Sequence, residues 1–133
     1  MSGVQTKKAL KAAQDAAYLS RVTAALGTAH RAAKLAAESF IKQAPKTPEG
    51  FVKDLCGGAS VIIYKPSYRF REALEALRQI RSGYCGAWFV SHFTKDVHSQ
   101  SVQANEAAAQ AARAVLEHEF PEEPNFYCHT YLS

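Results

Sequence analysis

The chain has 133 residues, of which 47% are hydrophobic and 21% charged, and a formal net charge of +4. That length suits one domain, and that composition excludes a chain disordered throughout. Apolar runs such as Val61-Ile62-Ile63-Tyr64 and Ala87-Trp88-Phe89-Val90 reach four residues, far short of the roughly 18 that a membrane-spanning helix requires, so no membrane partner is expected.

Alanine supplies 24 residues, crowded into Ala9 to Ala44 and Ala104 to Ala114. It loses no side-chain freedom on ordering, so both stretches read as helix. In the first, Ala12, Leu19, Leu26, Ala33 and Phe40 recur every seven residues, with Asp15, Val22, Ala29 and Ala36 interleaved. This heptad stripe predicts one helix from about Gln5 to Gln43, roughly 58 Å long, more than a domain of this size can cover. The alternative is a helical hairpin turning at Gly27 with Thr28 opening the second helix. An over-long helix calls for a partner, so the stripe of Leu19, Val22, Leu26, Ala29, Ala33, Ala36 and Phe40 is expected to be a self-association seam in a homo-oligomer, most simply a homodimer.

Charge adds a second argument. Residues 1–44 carry seven basic groups against two acidic ones, so all surplus positive charge lies there. A clustered basic face attracts carboxylates or phosphates, which points to an acidic protein or a nucleic acid. Glu117, Glu119, Glu122 and Glu123 form an opposing acidic patch that could receive the basic helix, within one chain or between two.

Pro45 to Gly50 stops the first helix, and residues 45–58 read as a connector to a second part, 59–133. Ala59–Tyr64 is a β-branched apolar run expected of a strand covered on both faces. Ser67 can cap a helix in which Phe70, Ala73, Leu74, Leu77 and Ile80 follow helical spacing, about four turns. Ser82-Gly83 closes it, and Tyr84 to Phe93 reads as a second strand. Gln100 to Phe120 is a further helix with Val102, Ala109, Ala112, Leu116 and Phe120 on one stripe. Phe126 to Leu132 alternates like a third strand, at an edge of the sheet. The expected fold is α+β or small α/β: the long alanine-rich helix or hairpin, then a β-α-β-α-β unit with a three-stranded sheet, paired in parallel through its crossovers.

In such a sheet, ligands gather where strand ends feed helix N-termini. Ser67 as cap, flanked by Lys65 and Arg69, with His92, Thr94 and Lys95 from the end of the next strand, forms the candidate anion or nucleotide site. No pair of histidines or cysteines has zinc-ligand spacing, so no metal or cofactor is implied, and no catalytic residue stands out. Cys56, Cys85 and Cys128 follow no secretory signal, so reduced thiols, buried as small apolar groups in a cytoplasmic protein, are expected. Together these features describe a non-enzymatic interaction protein or accessory modulator that self-associates and binds an acidic partner. The alternatives are a nucleic-acid-binding protein using its basic N-terminal helix, and an anion- or nucleotide-binding protein or small enzyme with its site at Lys65 to Arg69.

Overall fold

The computed structural model describes residues 3–133. Its elements are α1 (Gly3–Gln43), β1 (Gly57–Tyr64), α2 (Tyr68–Ala76), β2 (Ile80–Ser82), β3 (Ala87–Val90), α3 (Val102–Glu119) and β4 (Phe126–Leu132). The alanine-rich opening is one uninterrupted helix of 41 residues. Gly27 stays helical, for among the described residues only Gly50 and Gly86 are glycines with positive φ.

The sheet has four strands in the order β2-β3-β1-β4, and every neighbouring pair is antiparallel. This corrects the expected three-stranded parallel sheet. The physical reason is an early helix stop. Residues Leu74 to Gln79 close α2 as a double-bonded C-cap, with Arg78 N donating to Glu75 O at 3.0 Å and Gln79 N to Leu74 O at 2.8 Å. Arg78 takes a left-handed φ of 57° to make that turn. Ile80 therefore leaves the helix and enters a strand, and the segment expected as one strand is the second arm of a hairpin. Gly83 N donates to Ala87 O at 2.8 Å, and Cys85 and Gly86 turn the chain with φ of 57° and 78°. The hairpin inserts β3 between β1 and β2, so the order β-α-β-β-α-β acquires the split, ferredoxin-like connectivity.

Both crossover helices lie on one face. Ala59, Val61 and Ile63 point into a single core with Phe70 and Leu74 of α2 and Ala108, Ala112 and Leu116 of α3. The alternate residues Gly58, Ser60, Ile62 and Tyr64 necessarily face the other way. α1 then runs antiparallel along α3, with Arg21 donating to the Glu119 carbonyl at the end of α3. Ala29, Ala33 and Ala37 of α1 and Ala104, Ala108 and Ala112 of α3 are at most 1% exposed, so small side chains let the two helices pack closely.

The expected seam is thus covered inside the chain. Val22, Leu26, Ala29 and Ala33 are buried, and Leu19, Ala36 and Phe40 are half-buried. What stays uncovered is the beginning of α1, whose fifteen residues Gly3–Ala17 are all exposed. They span about 22 Å at 1.5 Å per residue. Of the acidic patch, the Glu122 side chain meets the basic helix within the chain, through Arg21 at 3.0 Å, whereas Glu117 pairs with Arg113 and Glu123 accepts from Ser67 N. The connector closes the start of α3, where the Asp54 carboxylate accepts from the Ser101 hydroxyl at 2.6 Å and from Gln103 N at 2.8 Å. No described helix is long and apolar enough to cross a membrane.

Candidate functional site

Because all three helices gather on one side, the opposite face of the sheet is bare. Strand register fixes which residues share it: Tyr64 opposite Ala87, Ile62 opposite Phe89 and Tyr127, Ser60 opposite His129, Gly58 opposite Tyr131, and Arg81 opposite Phe89. Tyr64 and Tyr127 meet edge to face at 5.7 Å, His129 stacks on Tyr131 at 6.5 Å, and the Arg81 guanidinium lies 4.9 Å from the Phe89 ring centre. Two glycines make room for these rings. A Cβ at Gly58 would collide with Tyr131, and one at Gly83 would come within 2.6 Å of Phe89. None of the four strands contains an aspartate or glutamate, and Arg81 is their only lysine or arginine.

At the β2–β3 end this face deepens into a cavity of about 410 Å³ whose lining includes Arg78, Arg81, Phe89, Ser91, His92, Thr94 and Tyr131. Its wall is polar and ordered. The Ser91 hydroxyl donates to Gln79 Oε1 and lies 2.8 Å from His30 Nε2, tying α1 to the sheet. His30 packs on Phe93 at 4.6 Å. Burial holds the His30 pKa below the usual histidine value, and the positive field of Lys95 works in the same direction against the weaker pull of Asp96. Ser91 and Arg78 both have left-handed backbones, with φ of 52° and 57°.

Antiparallel pairing separates the residues expected to form one anion site. Lys65, Ser67 and Arg69 follow the Tyr64 end of β1, whereas His92, Thr94 and Lys95 follow β3 at the opposite end of the sheet. The two halves do not meet. The helix N-terminus beside Ser67 is occupied from within: Ser67 Oγ accepts from Phe70 N, and Ser67 N donates to Glu123 Oε1 at 2.7 Å. Arg69 is laid over the Tyr18 ring at 3.9 Å. His92 and Thr94 do line a cavity, but their cationic neighbours are Arg78 and Arg81. These two arginines and the rings of Phe89 and Tyr131 are the site residues that sequence reasoning missed. The legible signal was the alternation of Tyr127, His129 and Tyr131 on the last strand.

A larger cleft of about 650 Å³ lies beneath the connector, between Ile41, Phe51, Val97 and Ser101. Its one carboxylate, Asp54, is engaged at the start of α3. Hydrogen bonds from Ser101 and the Gln103 amide keep the Asp54 pKa below the usual aspartate value. Among the described residues no three His, Cys, Asp or Glu side chains come together to hold a metal. The cysteines are free thiols, and the expectation that all are buried is corrected: Cys56 and Cys85 are exposed, Cys85 on the hairpin turn, and Cys128 is half-buried. No family model, curated protein or solved structure matches the chain.

Proposed function

We propose that this protein binds single-stranded nucleic acid on the bare face of its sheet. The observation that carries the reading is the pairing of exposed or half-buried rings with cations that no strand carboxylate opposes. Phe89, Tyr131, Tyr64 and Tyr127 stand on strands that hold no carboxylate, beside Arg81 and Arg78. Every base has a flat π surface that such rings can stack upon, while guanidinium groups take the phosphates. The net charge of +4 favours the encounter. The interface lies on the sheet, in place of the N-terminal helix to which sequence reading assigns it.

Fluorescence anisotropy with a short random-sequence single strand tests this. Affinity is expected to fall with salt, with a log–log slope of about −0.7 for each phosphate contacted. Phe89→Ala and Tyr131→Ala should each weaken binding by about 1 to 3 kcal/mol, with melting curves confirming that the variants fold. A wild-type chain that binds no oligonucleotide at low salt, or variants that bind equally well, overturns the assignment.

A second reading keeps the expected role of the first helix in self-association. It is favoured by the fifteen exposed residues that open α1, where Val4 and Leu10 are 63% and 59% exposed among Lys7, Lys8 and Lys11. A projecting helical arm of that length is marginal in water without something against it, and a second copy or an acidic protein would supply cover. Deleting residues 1–15 leaves the core positions untouched, so a lowered solution mass in the truncated chain supports this arm and an unchanged mass removes its role in self-association.

A further inference from the structure

We infer that the cavity at the β2–β3 end of the bare face is a subsite for a phosphate monoester, the phosphorylated end of a nucleic-acid strand. This deepens the reading above and rests on it. Three observations converge. The first is charge. Arg78 and Arg81 both line the cavity, no Asp or Glu does, and the ion pairs among the described residues engage Arg21, Arg71 and Arg113 instead. Two guanidiniums without counter-charge match a terminal phosphate, which carries a charge of about −1.5 to −2 at neutral pH, better than the single charge of an internal diester.

The second is backbone conformation. Arg78 sits at the position after the α2 C-cap where glycine is the usual residue, with φ of 57°. A long cationic side chain thus occupies a left-handed position on the wall of the cavity that Arg81 also lines, Arg81 lying over the Phe89 ring and in no ion pair among the described residues. The third is size and composition. About 410 Å³ accommodates one nucleotide, and the Phe89 and Tyr131 rings line the same space as the arginines. The hydroxyls of Ser60 and Thr94 and the imidazole of His92 add donors that a phosphate can use. A terminal nucleotide would place its base against the rings and its phosphate between the guanidiniums. A chain end would thereby be distinguished from chain interior.

The test uses the full chain and one oligonucleotide sequence in three forms: 5′-phosphorylated, 3′-phosphorylated and unphosphorylated, each labelled away from the phosphate. Adenosine and adenosine monophosphate are titrated alongside. One phosphorylated form is expected to bind about tenfold or more tightly than the unphosphorylated strand, from charge-assisted contacts. Arg78→Gln and Arg81→Gln should each erase most of that difference while the unphosphorylated strand loses less. All three forms binding equally overturns the subsite and leaves the strand-binding reading standing. Adenosine monophosphate binding in preference to adenosine, with no oligonucleotide bound at all, overturns the strand-binding reading and keeps the cavity as a site for free nucleotides. No binding by any probe overturns both.

Discussion

Leu26→Asp separates two roles for the apolar stripe of α1. If the stripe joins two chains, the substitution yields a folded monomer. If it is core, the substitution unfolds the protein. Leu26 is 6% exposed within the cluster that includes Val22, Ala29 and Ala33. Truncating a buried leucine costs about 2 to 5 kcal/mol. An aspartate there must be desolvated or protonated. Holding it neutral at pH 7 costs about 4 kcal/mol, from three pH units above its ordinary pKa at 1.36 kcal/mol each. The sum, about 6 to 9 kcal/mol, equals or exceeds much of the 5 to 15 kcal/mol that stabilises a typical domain. A carboxyl whose pKa is raised by folding stabilises least at high pH, so the variant should recover by roughly 4 kcal/mol relative to wild type as pH falls from 7 to 4. Circular-dichroism melts at both pH values, with light scattering on the same samples, check this. A variant that keeps the wild-type melting temperature at pH 7 and has half the wild-type mass refutes the assignment of Leu26 to the core.

Four other substitutions probe separate features. Gly57→Ala should destabilise by about 1 to 3 kcal/mol because its Cβ would collide with the Tyr131 carbonyl and crowd Val102, whereas Gly27→Ala should stabilise by about 0.5 to 1 kcal/mol, its Cβ meeting only the flexible Arg31 at 3.4 Å; urea melts giving both the same sign contradict the packing. Arg78→Gly should raise stability by about 1 kcal/mol by relaxing the left-handed residue, while weakening phosphate binding; a lowered melting temperature is the contrary result. Asp54→Asn should lower the melting temperature at neutral pH: a carboxylate whose pKa folding depresses contributes above its ordinary pKa, near 4, and loses that contribution as pH falls through the folded value, so wild type and variant should converge at acid pH.

Long periodic segments were legible in the sequence. The alanine-rich helix, the helix near Gln100–Phe120, the apolar run of β1 and the alternating β4 all form within a few residues of their expected limits. The start of α2 at its Ser67 cap was legible too, but its end and the hairpin were not, because Ile80 continues the helical spacing of Phe70, Leu74 and Leu77 and the chain turns at Arg78, a residue type that gives no local notice of a left-handed cap. Pair direction followed from the same error. A strand, a helix and a strand suggest parallel neighbours until a hairpin strand is inserted between them. The cavity was half legible for that reason: His92 and Thr94 fall at a strand end in either topology, whereas Arg78, Arg81 and Phe89 converge only once the hairpin is formed.

The same connectivity explains why the bare face is informative. Ile63, Val61 and Ala59 satisfy the core, so their neighbours Tyr64, Ile62 and Ser60 are free of that duty. A face whose only task is to meet water is ordinarily polar and mixed in charge. Here Ile62 is only 8% exposed without helix cover, shielded by the rings beside it, and Tyr127 and Tyr131 remain 46% and 53% exposed. Leaving rings in water forgoes hydrophobic stabilisation that Thr or Lys would not forgo, and placing arginine among them without a single strand carboxylate leaves the positive charge unopposed. Cross-strand ring pairs and the Arg81–Phe89 contact satisfy part of this surface within the fold, and what remains open suits flat, anionic groups lying on the sheet. One ligand class suits both features, which is the ground for proposing function on this face before the helical one.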